Sequence, residues 1–352
     1  MHVDNQTTID QVRKFGVQVA ASALFYSGAL NLLRPGRYWG LASEGKNRNS
    51  YSPFMVLLYH RVNPDNDPFF PALSVKAFDA QMSYLATHFQ VLSLAELINR
   101  IRQGLGITPG TVAVTFDDGY RDNYVYAHPI LKKYNCPATL FVATGYIGTE
   151  TPMWNDRLAL AIKFSTQKTI TIPGSKHSIS LISVPEKLAA LEYILETLKL
   201  LPEADKLTLV DEIFKSLHNK QPKNEPLMLS WNEVKQLAHE GWEVGSHTAN
   251  HVILTRVPLC QAKEEICSSA SMLERELDRP IRLFAYPNGK PSDYDPSIKK
   301  LLSDAGYMAA LTTIDRLNAQ DADLLEIGRK SPWEESIPGF ALRLSRTFWR
   351  QP

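Results

Sequence analysis

The chain has 352 residues, of which 44% are hydrophobic and 21% are charged, and its formal net charge at pH 7 is +1. This is the composition of an ordinary globular protein, with enough chain for one large domain or two small ones. The near-neutral charge argues against a nucleic-acid partner, because no basic excess is available to neutralise phosphates. The three cysteines are widely spaced, which argues against a disulfide framework or a zinc–thiolate site.

An uncharged segment of 19 residues lies between Lys14 and Arg34. It is long enough to span a bilayer, but several polar residues and two glycines dilute its hydrophobicity. We therefore predict, over 15–33, an amphipathic helix that packs on the domain or makes peripheral contact with a membrane. A membrane span and a signal peptide are the alternatives. The basic residues that follow favour the bacterial cytoplasm or inner-membrane periphery, with the periplasm as a second choice.

From about residue 51 onward, short apolar runs alternate with amphipathic helical patterns, several of which begin at capping residues such as Ser74 or the pair Ser230 and Glu233. The predicted strands are FMVLLYH, FQVLS, TVAVTF, ATLFVAT, WEVGSH, IRLFAY and YMAALT. Continuous apolar strands that alternate with helices predict a parallel α/β sheet, open or closed into a barrel. We assign residues 1–50 to an N-terminal helix and linker, and residues 51–352 to one domain.

Residues from about 156 to 226 interrupt this rhythm. The run KTITIPGSKHSISLIS is typical of a β-hairpin, and two helical stretches follow from about Pro185 and Pro202. We predict that this segment is an insertion in one strand-to-helix connection, and that its charges are solvated.

Residues capable of chemistry follow several of the predicted strands. They are His60, Asp117 and Asp118, His247 with His251, and Tyr286 with Pro287 and Asn288. In parallel α/β proteins the carboxyl ends of the strands lie at one edge of the sheet and carry the reactive groups. We therefore expect these residues to converge on a single site.

The two histidines in SHTANH are four residues apart. If the chain is helical there, both imidazoles face the same way and can share one cation. With one carboxylate from the adjacent pair Asp117 and Asp118, they make a set that leaves positions open for water and substrate. The other aspartate is then free to accept a proton from the attacking water. The cation also offsets the repulsion between the two carboxylates.

The runs TFDDGY, SHTANH and FAYPNG resemble the motifs of the polysaccharide deacetylases, the NodB-like enzymes of carbohydrate esterase family 4. The resemblance covers about residues 51–344, apart from the insertion, and its style is similar to bacterial exopolysaccharide and poly-N-acetylglucosamine deacetylases. It implies a distorted (β/α) barrel that uses a divalent metal, usually Zn²⁺, to remove acetyl groups from N-acetylated sugars.

The resemblance also implies a role for each matching residue. Asp117 would be the general base, and Asp118, His247 and His251 would be the metal ligands. The residues implied for the oxyanion and the substrate are Tyr120, Tyr286, Pro287, Asn288, Trp154 and Trp231. Of these, Tyr120 would act through its backbone N–H. Trp154, with Asn155 and Asp156 beside it, would line a sugar subsite by aromatic stacking, although simple packing is an equal alternative for both tryptophans.

Two departures from the family pattern affect these roles. The third motif of the family often carries an arginine that pairs with the base, and Ala285 stands at that position here. Arg282, Lys290 and Arg329 are the candidates to replace its charge. The late histidine that normally acts as general acid is also missing. Relatives that act on poly-N-acetylglucosamine take this histidine from an early YH run, which implies that His60 in LLYHRV is the acid.

The predicted function is metal-dependent removal of N-acetyl groups from N-acetylhexosamine units of a bacterial surface polysaccharide, exopolysaccharide or precursor. The expected partner is a carbohydrate substrate, with no nucleic acid, and no oligomeric state is predicted. One alternative keeps the metal site but acts on O-acetyl esters or another amide. A second is an inactive, carbohydrate-binding member of the same fold.

Overall fold

The computed structural model describes residues 16–32, 53–174, 177–217 and 226–349. Its centre is a sheet of seven parallel strands. These strands are β1 (Phe54–Tyr59), β2 (Gln90–Val91), β3 (Thr111–Phe116), β4 (Ala138–Val142), β7 (Glu243–Ser246), β8 (Leu283–Ala285) and β9 (Ala309–Leu311). Their order is β1-β3-β4-β7-β8-β9, and β2 pairs with the start of β3. The parallel α/β sheet predicted from the apolar runs is therefore confirmed.

Helices occupy most of the connections between these strands. The α-helices described are Ala29–Leu32, Val75–His88, Leu94–Arg102, His128–Lys133, Trp154–Phe164, Val184–Leu198, Glu203–Ser216, Trp231–His239, Leu259–Leu277, Pro296–Asp304 and Ile337–Trp349. Short segments of other helix types are the π-helix Asn123–Ala127 and the 3₁₀-helices Leu254–Arg256 and Leu324–Glu326. The predicted caps are confirmed: Ser74 accepts from the N–H of Ala77, and Ser230 forms a capping box with Glu233.

Alternate residues of β1 face two different cores, as the two-residue period of a strand requires. Phe54 and Val56 lie in an inner apolar cluster with Phe141 of β4. Met55 and Leu57 lie in the larger cluster between the sheet and its helices. Because both faces of the strand are buried, its sequence reads as a continuous apolar run.

A segment after β9 connects the far edge of the sheet to β1. Ile327 bridges Leu311 of β9, and Lys330 bridges Leu57 of β1, each as an isolated parallel bridge. This segment, residues 327–330, curves the sheet toward closure and gives a half-barrel with helices outside. Arg329 lies within it and is almost completely buried.

The interrupted region contains the predicted hairpin and both predicted helices. Strands β5 (Thr169–Thr171) and β6 (Ser178–Ser180) are antiparallel. The helices that follow are Val184–Leu198 and Glu203–Ser216. With Trp154–Phe164 they enclose an apolar cluster separate from the main core. This region can therefore bury its own apolar surface while it packs beside the barrel.

The N-terminal residues that the structure describes pack against the domain. Residues 16–26 are helical, Ala21 and Leu30 are buried, and the ring of Phe25 lies 6.2 Å from that of Tyr84. On the other side, Val19 and Tyr26 are exposed. Within the described ranges no helix has the length and hydropathy to cross a bilayer. The described residues of this segment therefore contact the domain, and peripheral membrane contact stays a prediction.

Gly245 in β7 tests how tightly the half-barrel is packed. A Cβ atom at this position would lie 2.5 Å from Cε1 of Phe141 and 2.8 Å from the backbone oxygen of Leu283. We expect Gly245→Ala to lower the free energy of unfolding by about 2 kcal/mol, because the backbone neighbour cannot move aside cheaply. Gly16→Ala is the matched control, since it adds the same methyl group in open space. Equal stability of both variants in urea unfolding would contradict this packing.

Candidate active site

A cavity of about 430 Å³ opens at the carboxyl ends of the strands. The residues predicted for the site that line it are His60, Asp117, Asp118, Tyr120, Trp154, His247, His251 and Asn288. They come from four different strand ends and from the helix Trp154–Phe164. The expected convergence at one edge of the sheet is therefore observed.

Asp118, His247 and His251 form a group that fits one metal ion. The Oδ1 atom of Asp118 lies 3.4 Å from Nε2 of His247 and 3.3 Å from Nε2 of His251. The three ligand atoms all lie within 4.8 Å of one another. Within the described residues, Oδ1 is buried and accepts no hydrogen bond of acceptable geometry. Two imidazoles and a carboxylate are ligands that suit zinc and similar divalent ions.

The loop between the two histidines is not helical, so the condition that we set for their shared orientation is not met. Thr248 and His251 instead adopt φ angles of 63° and 55°. Both carboxylate oxygens of Glu265 brace the loop: Oε2 accepts from the N–H groups of Ala249 and Asn250, and Oε1 accepts from the Asn250 side chain. The rings nevertheless meet, with centroids 4.9 Å apart. The positive φ angles of Thr248 and His251 thus bring the two imidazoles together, which we expected a helical turn to do.

His247 is oriented by the neighbouring strand. Its Nδ1 lies 2.7 Å from the carbonyl oxygen of Ala285 in β8. This contact fixes the ring and directs Nε2 toward Asp118. Hydrogen bonding of the second ring nitrogen is the usual way in which proteins orient a metal-binding histidine.

The backbone turns sharply after Asp117. Asp118 has a φ of 76° and Gly119 a φ of 93°. A Cβ atom on Gly119 would lie 2.8 Å from Cδ1 of Ile147, so this turn requires glycine in both conformation and space. The two carboxylates diverge because Asp118 leaves the extended conformation, rather than through simple strand alternation.

Arg329 pairs with Asp117 and replaces the arginine missing from the third motif. Its Nη1 donates to Oδ1 of Asp117 at 2.7 Å, and its Nη2 donates to Oδ2 at 2.6 Å. Its Nε donates to the carbonyl oxygen of Thr312 at 2.9 Å. The other two candidate cations lie elsewhere: Arg282 donates to the backbone of Gly306, and Lys290 pairs with Glu196.

These contacts set the charge of both aspartates. Burial alone would raise the pKa of Asp117, but Arg329 and then His247 outweigh it and lower the pKa. Burial also opposes ionisation of Asp118, and its contacts with His247 and His251 bring its pKa well below the ordinary value. Both carboxylates are therefore ionised at neutral pH, which the predicted roles of general base and metal ligand require.

The pKa values of the two histidines shift in opposite directions because the two aspartates lie unequally around them. Burial lowers the pKa of His251, and Asp118 only partly offsets this effect. For His247, burial also lowers the pKa, but the charges of Asp117 and Asp118 outweigh it and raise the pKa. A cation in this group would compete with that proton for the same negative charge.

His60 borders the same cavity and is held through its neighbours. Its carbonyl oxygen accepts from Nδ2 of Asn123 at 2.8 Å. The next residue, Arg61, pairs with Asp122 at 2.7 Å. The ring itself is less constrained, since its Nδ1 is buried without a hydrogen-bond partner in the described part of the chain. The loop after β3 thus holds the end of β1 in place and leaves the imidazole available.

Tyr120 lines the cavity, and its backbone N–H has no hydrogen-bond partner among the described residues. On either side of it, Arg121 donates to the carbonyl oxygen of Leu227, and Leu229 donates to that of Gly119. Tyr120 and Met228 therefore lie opposite each other in an antiparallel bridge without a hydrogen bond between them. The geometry suits the oxyanion role that the resemblance implies.

Three residues assigned to the substrate lie away from the cavity lining. Tyr286 is buried, its hydroxyl donates to Leu325, and its ring stacks on Tyr294. Pro287 does not line the cavity. Trp231 packs in the main core close to Gly148. Asn288 does line it, with its side chain donating to Asp293. The aromatic third-motif residue therefore supports the fold, because its hydroxyl satisfies a neighbouring backbone group.

Part of the cavity wall was not predicted. The additional apolar residues lining it include Phe69, Phe70, Leu191, Leu195, Ile253 and Trp333. Leu191 and Leu195 come from the insertion, whose apolar pattern serves its own core and the cavity wall alike. No sequence signal distinguishes the two uses.

Comparisons with known proteins agree with this geometry. Residues 107–310 match the family model described as polysaccharide deacetylase. The chain is 23% identical over 275 residues to YxkH of Bacillus subtilis, which is assigned to the polysaccharide deacetylases, covering 78% of this chain and 69% of that protein. It is also 36% identical over 80 residues to a poly-β-1,6-N-acetyl-D-glucosamine N-deacetylase of Staphylococcus aureus, covering 22% of this chain and 27% of that protein.

Two solved structures share the fold. The Streptococcus pyogenes deacetylase PplD, in complex with acetate, aligns with a TM-score of 0.56 at 18% identity, over 84% of this chain and 99% of that one. IcaB from Ammonifex degensii aligns with a TM-score of 0.54 at 20% identity, over 82% and 97%.

The fold and site thus define a NodB-like (β/α) half-barrel deacetylase. The chain belongs to the polysaccharide deacetylase family and is a hydrolase of that class.

Replacement of Arg329 tests the pairing of the general-base candidate. We expect Arg329→Met to lower the free energy of unfolding by about 3–5 kcal/mol, because Asp117 is left charged and buried without its partner. Lys290→Met is the matched control, since this lysine is half exposed and pairs with Glu196 instead of Asp117. Similar urea midpoints for the two variants would contradict the assignment.

The same variant should also change how kcat/KM depends on pH. Because the folded-state pKa of Asp117 is lowered, its stabilising contribution is present above the unfolded value of about 3.9 and is lost as pH falls through the lower folded value. Without Arg329 the largest effect that lowers this pKa is lost, so the pKa of Asp117 should rise relative to wild type. The acidic limb of the kcat/KM profile should therefore move to higher pH in Arg329→Met, and an unmoved limb would count against the pairing.

Proposed function

We propose that the chain removes N-acetyl groups from N-acetylhexosamine units of a bacterial surface polysaccharide, exopolysaccharide or precursor, with a divalent metal. The observation that carries this proposal is the separation of the two aspartates at the cavity floor. Asp118 faces His247 and His251, whereas both oxygens of Asp117 are held by Arg329. Family membership supports deacetylation, and the separation supports distinct metal-binding and proton-transfer roles.

Asp118, His247 and His251 would hold the ion. A divalent ion there, for which Zn²⁺ suits the donor set, supplies Lewis-acid activation of water and of the acyl oxygen. Asp117 accepts the proton of the attacking water, because its carboxylate is ionised and lies beside the proposed metal ligands. Its Oδ2 atom is 3.9 Å from Nε2 of His247. Arg329 keeps the Asp117 carboxylate in position and charged.

Two further groups complete the reaction. The N–H of Tyr120 donates to the oxygen that becomes negative when the acetyl carbon is attacked. His60 gives a proton to the leaving amine, for which an imidazole is suited near neutral pH. His60 lines the same cavity as the two aspartates, at the same edge of the sheet, and this position supports the role.

The cavity favours a sugar as the substrate. Aromatic side chains, including Phe69, Phe70 and Trp154, line it together with polar groups. Sugar rings combine an apolar face with hydroxyl groups, so they suit such a mixed lining. The short match to the S. aureus N-deacetylase supports an N-acetylglucosamine polymer or its precursor as the first substrate to try.

The proposed location is the cytoplasm or inner-membrane periphery. The exposed apolar residues Val17, Val19 and Tyr26 of the N-terminal helix support peripheral contact with a membrane.

Substitution of the two aspartates tests their separate roles. We expect wild-type protein to bind about one zinc ion, to release acetate from N-acetylglucosamine oligomers, and to lose this activity on chelation. Asp117→Asn should keep its zinc while kcat falls at least about 100-fold, because the proton acceptor is lost and the three metal ligands are unchanged. It should also be less stable than wild type, because the buried Arg329 loses its charged partner. Asp118→Asn should lose the zinc. Measured zinc content with the opposite pattern would reverse the two assignments.

His60→Ala tests the proton donor separately. We expect it to lower kcat on the oligomers by about 100-fold or more with little change in zinc content. The loss should be smaller on an aryl acetate, because its leaving group needs no proton. His239→Ala is the control, since that histidine lies in the last turn of a helix that does not border the cavity. Unchanged turnover of the amide by His60→Ala would rule out the proposed acid.

A further inference from the structure

Asp156 is a buried carboxylate on the cavity wall, and it belongs to a different element from the predicted metal ligands. It is the third residue of the helix Trp154–Phe164, is only 4% exposed, and lines the cavity. The hydroxyl of Tyr120 lies 3.1 Å from both of its oxygens. No reaction step described above uses this side chain.

The hydrogen-bonding capacity of Asp156 is not met by the protein. A carboxylate offers about four acceptor positions, but the single Tyr120 hydroxyl can donate only one hydrogen. Arg61 is already engaged with Asp122 and lies over the Tyr120 ring. Burial raises the pKa of Asp156 to about 7, and Arg61 only partly offsets this effect. A buried acceptor in this state gains from any neutral donor that a ligand brings.

A second unmet polar group lies on the same turn. The indole Nε1 of Trp154 is buried and has no acceptor among the described residues, and the Trp154 side chain is 5% exposed. Phe69 and Leu191, which come from different segments, add apolar surface to the same cavity wall. This arrangement fits a neutral, hydroxylated ring better than a cation. A second metal would need further ligands, and within the described ranges only the Asp118 group assembles three of them.

We propose that Asp156 accepts a hydrogen bond from a ring hydroxyl of the acetylated sugar and thereby determines specificity for a hexosamine over other acetylated compounds. The inference rests on the proposed function and names the residue that recognises the sugar. Asp156 acts on binding and orientation, while Asp117 and His60 move the protons.

The test compares Asp156→Asn with Asp211→Asn. Asp211 is the matched control, because it also lies in the insertion and forms an ion pair with Arg157, but it does not line the cavity. The measured quantity is the ratio of kcat/KM for N-acetylglucosamine oligomers to kcat/KM for an aryl acetate, which has no ring hydroxyls. We expect Asp156→Asn to lower this ratio about tenfold or more, mainly through KM, because the carboxylate that accepts from the ring hydroxyl is lost.

The outcomes separate the two proposals. If wild-type protein releases no acetate from the oligomers, the proposed function and this inference both fail. If wild-type protein is active and Asp156→Asn keeps the wild-type ratio, only the inference fails. A purely structural role would lower both kcat/KM values together and leave their ratio unchanged, which also overturns it.

A substrate-side measurement applies even if Asp156→Asn does not fold. Wild-type protein is assayed with N-acetylglucosamine oligomers that each lack one ring hydroxyl. One of these should lose about tenfold in kcat/KM, because its missing hydroxyl leaves the buried carboxylate with only the hydrogen bond from Tyr120. Losses below about twofold for every deoxy compound would overturn the proposal.

Discussion

The buried pair between Arg329 and Asp117 is the interaction on which the rest of the site depends. The arginine belongs to the segment that bridges β9 and β1, and the aspartate follows β3. Both charges are almost fully buried and are joined by two hydrogen bonds. Since either charge alone would be very costly in that position, we expect closure of the half-barrel and ionisation of Asp117 to be coupled.

This pair also explains how two adjacent carboxylates can share a buried turn. Arg329 takes both oxygens of Asp117, and the left-handed backbone at Asp118 and Gly119 directs the second carboxylate toward His247 and His251. One carboxylate is thereby neutralised by the protein, and the other presents its charge to the cavity. The insertion contributes Asp156 and Leu191 to the cavity wall, so the proposed contact with the sugar comes from chain outside the barrel.

The sequence predicted the strands and the cavity floor well for a physical reason. Strands such as β1 and β3 are buried on both faces, so they read as unbroken apolar runs, and parallel strands must deliver their ends to one edge. The choice of Arg329 over Arg282 and Lys290 was not predictable, because it spans 212 residues of chain and depends on barrel closure. The conformation of Thr248 could not be predicted either, since threonine rarely adopts a positive φ.

The measurement that tests the central claim most directly is a crystal structure of the zinc-loaded protein, with the ion located by its anomalous scattering. We predict one ion bound by Oδ1 of Asp118 and by Nε2 of His247 and His251, with Asp117 still paired to Arg329. An ion that is bound by Asp117 in place of Asp118, with the Arg329 pair broken, would contradict the division of roles between the two aspartates.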